Sequence, residues 1–284
     1  MTTGHATSWA EWVDSGQWNS SSDTAMPMLP ALAGDVMTLA LDPDVSVLRI
    51  ARVISKEQVL ATRVLRLANS AYCAPMQEIT TINDAIVRMG TAAVRNVVLA
   101  VCFASRLQAA NVYGPQGRDL VDHGIGSAYL ARLVAERAGL DPDEAFMFGL
   151  LHDIGKLVLL KQVRDFIKSG GQAPTPEEID AFVRDRHAEV GARILRQWQL
   201  PETLIEPVRY HHTPDAAPTH KDEAAVVYMA NRLSHRYGFG CTAGEADDIT
   251  EDPIFTELRL NAQWLKDTDQ RAPGLFEVAR QIVA

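Results

Sequence analysis

The chain has 284 residues, 47% of them hydrophobic, with 36 acidic against 27 basic side chains and a formal charge of −9. That length and apolar content exclude a disordered chain and suffice for one large domain or two modest ones with an ample core. The acidic balance argues against sequence-independent nucleic-acid binding, which needs lysines and arginines to release counterions.

Residues 1–26 are mostly polar apart from Trp9, Trp12 and Trp18, and read as a loosely ordered lead-in. They hold no basic region followed by an apolar run, so no signal peptide is expected. Helical periodicity opens near Met28-Leu29-Pro30. Val47, Leu48, Ile50, Ala51, Val53 and Ile54 mark one amphipathic helix, and Val59, Leu60, Val64, Leu65, Leu67 and Ala68 mark the next. Thr81 can cap a short helix that stops at Gly90, and Thr91 the long helix after it. Arg63, Arg66, Arg88 and Arg95 recur on these helices, either as solvated faces or as a docking surface. The polar break from Asn111 to Arg118, with Gly114, Pro115 and Gly117, is the expected boundary between an N-terminal helical subdomain, 27–112, and a second one, 113–240.

In the second subdomain a helix from about Leu120 to Arg137 carries His123. Asp141-Pro142-Asp143-Glu144 is a strong helix start, with a capping Asp, Pro at the first helical position and Glu three residues after the cap. That helix delivers His152 and Asp153 at its end. A loop near 169–176 follows, then helices holding His187, His211-His212 and Asn231. A break near Gly238 leads to a tail, 241–284, expected to be helical and to pack on the domain. Alternating strand patterns are scarce, so the expected class is all-α with two helical halves. No apolar run reaches the ~18 residues of a membrane span. Cys73, Cys102 and Cys241 are widely spaced and form no Cys-x-x-Cys pair. A disulfide framework or thiolate zinc site is therefore not expected; a reducing cytoplasm with core thiols is.

The stretch His152-Asp153-Ile154-Gly155-Lys156 carries the most chemistry. An adjacent His-Asp pair offers a divalent ion one imidazole nitrogen and one carboxylate oxygen, a set that suits iron, manganese, nickel or zinc better than calcium. An isolated pair more often ties two helices together by a hydrogen bond. Lys156, about one helical turn past Asp153, can meet a phosphate or Asp153 itself. Gly124, Gly126, Gly149 and Gly155 suit close helix approach. His5, His220 and His235 read as surface residues.

Several motifs together resemble the HDOD family, the HD-related output domains of bacterial signalling proteins. They are Leu29-Pro30, Leu65 to Tyr72, Ile79 to Gly90, Gly149 to Lys156, His187 to Ala192, Trp198 to Pro201 and Tyr210-His211-His212. The resemblance implies an all-helical fold with an HD-like second half. It also implies a regulatory role: an output module that binds a signalling protein partner or a nucleotide ligand. The second half is also similar to the metal-dependent HD phosphohydrolases and the HD-GYP cyclic-di-GMP phosphodiesterases. Their ligand order implies a metal site from His123, His152, Asp153, His187, His211, His212 and Asn231, holding iron or manganese ahead of zinc or nickel. Asp119, four residues before His123 and on the same helical face, is a further candidate carboxylate.

Two departures from those enzymes point away from hydrolysis. Asn231 stands where they place a last carboxylate, and its amide oxygen brings no charge. Thr213-Pro214-Asp215 follows His212 where a Gly-Tyr-Pro motif would stand. The expected function is therefore a regulatory module, with a metal-dependent phosphohydrolase acting on a nucleotide or cyclic nucleotide as the alternative.

Overall fold

The computed structural model describes residues 7–16, 18, 47–56, 58–69, 78–109, 114–240 and 248–283, and every regular element among them is helical. Residues 28–30 and 70–72, part of the family resemblance, lie outside them, as do His5, Cys73, Cys241 and the side chain of Cys102. The first helix, α1 (Trp9–Asp14), falls in the expected loose lead-in. Ser8 and Glu11 form a reciprocal capping box at its start. Trp9 and Trp12 are buried against Phe166 and Phe182, with ring centroids 4.7–5.7 Å apart. Aromatic pairs of this kind add about 0.5–1.5 kcal/mol each beyond their buried area. Tryptophans in an otherwise polar segment were the trace of this packing in the sequence.

Helices α2 (Val47–Ser55), α3 (Gln58–Ala68), α4 (Ile82–Met89) and α5 (Thr91–Ala109) pack on one another, and α5 docks on α6 (Gly114–Ala138). Thr81 caps α4, its hydroxyl accepting from the Asp84 amide, and Gly90 ends it at φ +84°. Thr91, expected as a cap, is the first residue of α5. The expected break at 111–118 is in part the first turn of α6, which starts earlier than Leu120. Pro115 is tolerated there because a first-turn amide has no partner inside the helix.

Around α6 are wrapped α7 (Pro142–Leu151), α11 (Lys221–Tyr237) and α13 (Ala262–Val283). The side chains of α7 from Ala145 to Leu151 are all buried, as its unbroken apolar sequence requires. Asp141 caps it, accepting from the amides of Asp143 and Glu144. Beyond it α8 (Ile154–Lys168) crosses α9 (Pro176–Gln197), and α10 (Glu202–Tyr210) bridges α9 to α11. A short α12 (Pro253–Glu257) precedes α13, which rests on α3, α5 and α6.

The α8–α9 crossing is set by Gly155. A Cβ there would lie 2.0 Å from the His187 carbonyl oxygen and 2.7 Å from the Gly191 amide, so only hydrogen fits. Gly155→Ala is expected to destabilise the protein by about 1–3 kcal/mol through overpacking. Gly274→Ala, in α13 with nothing within 4 Å, should instead stabilise it by about 0.5–1 kcal/mol through helix propensity. Thermal unfolding of the two variants checks both signs.

Candidate metal centre

Four helices and one turn supply the candidate site. His123 projects from α6, His152 and Asp153 from the α7–α8 turn, and His187 from α9. His211 and His212 follow the last residue of α10, and Asn231 lies on α11. All but His212 and Asn231 are buried. Two groups form, His123-His152-Asp153 and His187-His211-His212, each with ligand atoms within 4.8 Å of one another.

Asp153 joins the groups. Its Oδ2 lies 3.5 Å from His123 Nε2 and 3.4 Å from His152 Nε2; its Oδ1 lies 3.3 Å from His187 Nε2 and 4.0 Å from His211 Nε2. Asp153 is also the N-cap residue of α8, yet its side chain makes no capping bond. A carboxylate normally serves that position, at about 1 kcal/mol, so its turn toward the imidazoles marks another use.

The tautomers follow from the carbonyls behind the rings. His152 Nδ1 donates to Gly149 O at 2.8 Å and His211 Nδ1 to Val208 O at 2.7 Å. His187 Nδ1 donates to Val183 O and Arg184 O at 3.0 and 2.9 Å. A carbonyl oxygen only accepts, so the proton sits on Nδ1 and each Nε2 turns a lone pair inward. His187 Nε2 and His211 Nε2 then face each other at 3.2 Å with no proton between them. His212 Nε2 lies 3.0 Å from His187 Nε2 and can donate to it, but His211 gains nothing from that. His152 Nε2 and Asp153 Oδ1 are buried without a hydrogen-bond partner among the described residues. Unsatisfied buried acceptors cost about 1–3 kcal/mol each, so this convergence calls for a cation. Two nitrogens on one transition ion stand about 3.0–3.4 Å apart, given metal–nitrogen bonds of about 2.0–2.1 Å. The imidazole spacings meet that test.

The electrostatics agree. Burial drives His123 down to about 3 and His212 down to about 4. It also depresses His187, and His211 strongly. These rings are therefore neutral near pH 7, the form that binds metals. Burial alone would raise Asp153, but neighbouring His152 and Lys156 outweigh it and hold the carboxyl well below the usual range.

A cavity of about 400 Å³ opens over this cluster, lined by Asp119, His123, Asp153, Lys156, His187, His212 and Asn231 among others. His152 and His211 sit beneath, fully buried. Lys156 Nζ bonds Asp153 Oδ2 at 2.6 Å and is itself a quarter exposed at the cavity. Asp119 lies at the exposed rim and joins neither ligand group. Asn231 Oδ1 lies 2.9 Å from His123 Nε2, while His123 Nδ1 contacts Ser234 Oγ and Phe239 O at 3.2 and 3.3 Å.

His235, read from the sequence as a surface residue, also lines the cavity, its ring 4.9 Å from that of His123. Its position four residues after Asn231 on one helix was the available signal. Asp180 and Arg184, on α9 at the mouth, carried no such signal.

The HDOD domain family profile matches residues 26–214. A protein from Treponema pallidum described only as uncharacterized is 27% identical over 263 residues, 89% of this chain and 50% of its own length. Ribonuclease Y from Thermus thermophilus is 31% identical over 118 residues, 42% of this chain and 17% of its own. The chain thus spans half or less of the length of these relatives. Among solved structures, an HDOD domain protein of unknown function from Geobacter sulfurreducens superposes with a TM-score of 0.73 at 22% identity, covering 95% of this chain and 99% of that one. That likeness establishes the fold.

Because the buried imidazoles of folded His123 and His212 protonate only near pH 3 and 4, against 6.5 in the unfolded chain, the unfolded state binds more protons between those values. The chelated protein should therefore lose stability as pH falls below about 6.5. A thermal midpoint in EDTA that is several degrees lower at pH 5.5 than at pH 7.5 is the expected result; an equal midpoint would show that the histidines are not held neutral.

Proposed function

Since the chain belongs to the HDOD domain family, we propose that it is a bacterial regulatory output module built around a divalent-metal centre, which engages a signalling protein or a nucleotide ligand. His152, Asp153, His187, His211 and His212 hold the ion, and the resemblance to the HD enzymes implies iron or manganese ahead of zinc or nickel. When bound, the ion supplies a concentrated positive charge that attracts and polarises a phosphate or carboxylate group. The chain's own contributions are separate. The carbonyls behind the rings fix their tautomers, Lys156 balances Asp153, and the buried floor of His152 and His211 excludes water from one side.

The observation that carries the regulatory reading is Asn231. It sets an uncharged amide 2.9 Å from His123 Nε2, where the hydrolytic relatives place a carboxylate. That leaves the His123 side of the site one negative charge short of what a second ion needs. The second reading, a phosphohydrolase, draws on the open cavity beside Asp153 and Lys156 and on the similarity to part of ribonuclease Y. In that reading Lys156 leaves Asp153 to meet a phosphate oxygen.

Metal analysis of protein purified anaerobically without chelators is expected to find about one equivalent of a transition metal per chain, and Asp153→Asn should retain less than about a tenth. Asn231→Asp should restore the missing charge and raise metal retention. Turnover of bis(p-nitrophenyl) phosphate should stay at background in the native chain. Metal-dependent turnover that Asp153→Asn abolishes would replace the regulatory reading by the hydrolytic one.

A further inference from the structure

Three of the imidazoles have their proton pinned on Nδ1 by a carbonyl behind the ring. His123 is placed differently. Its Nδ1 meets two groups, the Phe239 carbonyl oxygen at 3.3 Å and the Ser234 hydroxyl at 3.2 Å. Its Nε2 meets Asn231 Oδ1 at 2.9 Å and Asp153 Oδ2 at 3.5 Å. A neutral imidazole has one N–H and one lone pair, so these four neighbours decide which nitrogen keeps the proton.

The Phe239 carbonyl can only accept, so it favours a proton on Nδ1. Its distance exceeds the usual N–H···O range of about 2.7–3.2 Å. It is also held there: the Phe239 ring stacks on Phe276 of α13 at 3.9 Å and fills the space that a Cβ on Gly126 would need. Ser234 pulls the other way. It is fully buried, and His123 Nδ1 is the one hydrogen-bond partner of its hydroxyl among the described residues. With a proton on Nδ1, that hydroxyl has no acceptor for its own hydrogen, a buried donor left unmade at about 1–3 kcal/mol. With the proton on Nε2, the hydroxyl donates to Nδ1, and the ring donates to Asn231 Oδ1 and turns its N–H toward the Asp153 carboxylate. The Asn231 amide can turn to serve either form. Ser234 and Asp153 therefore decide, and together they outweigh one long contact.

We propose that Ser234 locks His123 with its proton on Nε2, so that His123 faces the histidine cavity as a hydrogen-bond donor and not as a ligand, and the centre holds one ion. The ion count rests on the metal-centre reading above; the position of the proton does not. Family order alone places His123 among the ligands. In the fold its Nε2 turns an N–H toward Asp153, where His152, His187 and His211 turn lone pairs. Ser234 lies three residues after Asn231 on α11, on the same helical face. It is a positioning residue, since it reaches the site through His123. A centre with one ion lacks the metal pair that clamps both oxygens of an in-line displacement. The lock thus works in the same direction as Asn231, toward binding and away from hydrolysis.

Nitrogen-15 NMR of the full chain with labelled histidine, in EDTA at pH 7.5, tests the lock, the His123 signals being assigned by their loss in His123→Gln. His123 should carry its proton on Nε2, opposite to His152, His187 and His211. Ser234→Ala, which adds no bulk and suits a helix, should move that proton to Nδ1; Ser234→Thr, which keeps the hydroxyl, should leave it in place. In equilibrium dialysis against manganese, the native chain should saturate at about one equivalent. Ser234→Ala should bind a second ion at least tenfold more tightly than the native chain does. A proton on Nδ1 of His123 in the native chain, a tautomer indifferent to Ser234→Ala, or equal uptake of a second ion by both proteins would overturn the proposal. Absence of bound manganese from both, with the tautomers as expected, would sink the metal-centre reading and leave the lock standing.

Discussion

A buried carboxylate facing four imidazole nitrogens is the arrangement on which the rest of this structure depends. Asp153 lies within 3.3–4.0 Å of Nε2 on His123, His152, His187 and His211, and it has forgone a helix cap to do so. The carbonyls behind three of those rings leave only lone pairs at the centre. Without a cation, such a cluster is a sum of desolvation penalties with one partial remedy, the Lys156 ammonium at 2.6 Å. The surrounding helices must therefore be held together by their own packing. They are: α7 is buried over most of its length, α6 runs through the interior, and Gly155 brings α8 against the backbone of α9.

Much of this was legible in the sequence, and for physical reasons. Helices with a regular apolar period and charged caps announced themselves, as at Asp141 and Thr81. The histidines could be placed because family order fixed them, not because spacing did: they come from four separate places along the chain and no local rule relates them. The misread parts share a cause, tertiary context overriding local composition. Polar residues around Trp9 and Trp12 suggested a loose segment, yet four aromatic rings pack there. The glycines and proline near 114–117 suggested a break but sit in the first turn of α6. His235 was set aside as a surface residue, although it stands one helical turn from Asn231 and lines the same cavity. Of the early-helix arginines, Arg95 likewise gained meaning only once Asp143, far along the chain, came beside it.

A second cavity, of about 350 Å³, lies between α3, α4, α5 and α6 and shares its supports with the histidine cavity. α6 carries His123 to one and Tyr129 and Arg132 to the other. α7 begins beside Asp143, the acceptor shared by Arg132 and Asn96, and ends at His152. Nine residues of one helix, about 13 Å at 1.5 Å per residue, separate His123 from Arg132. The helix is buried from His123 to Ala131, and small shifts are not readily absorbed in a close-packed interior.

The distribution of the donors along the chain also has a consequence in time. His123 and Asn231, in contact at 2.9 Å, are 108 residues apart in sequence. At about 5–20 residues per second, a ribosome needs roughly 5–20 s to cover that gap. Through that interval the earlier histidines are made without their later neighbours, in a cell that holds many competing ions. The residues proposed to hold the ion run from His152 to His212, so that set is complete only when α10 has packed on α9 and α7, and an ion held by all of them would be bound by the folded chain and not by the nascent one.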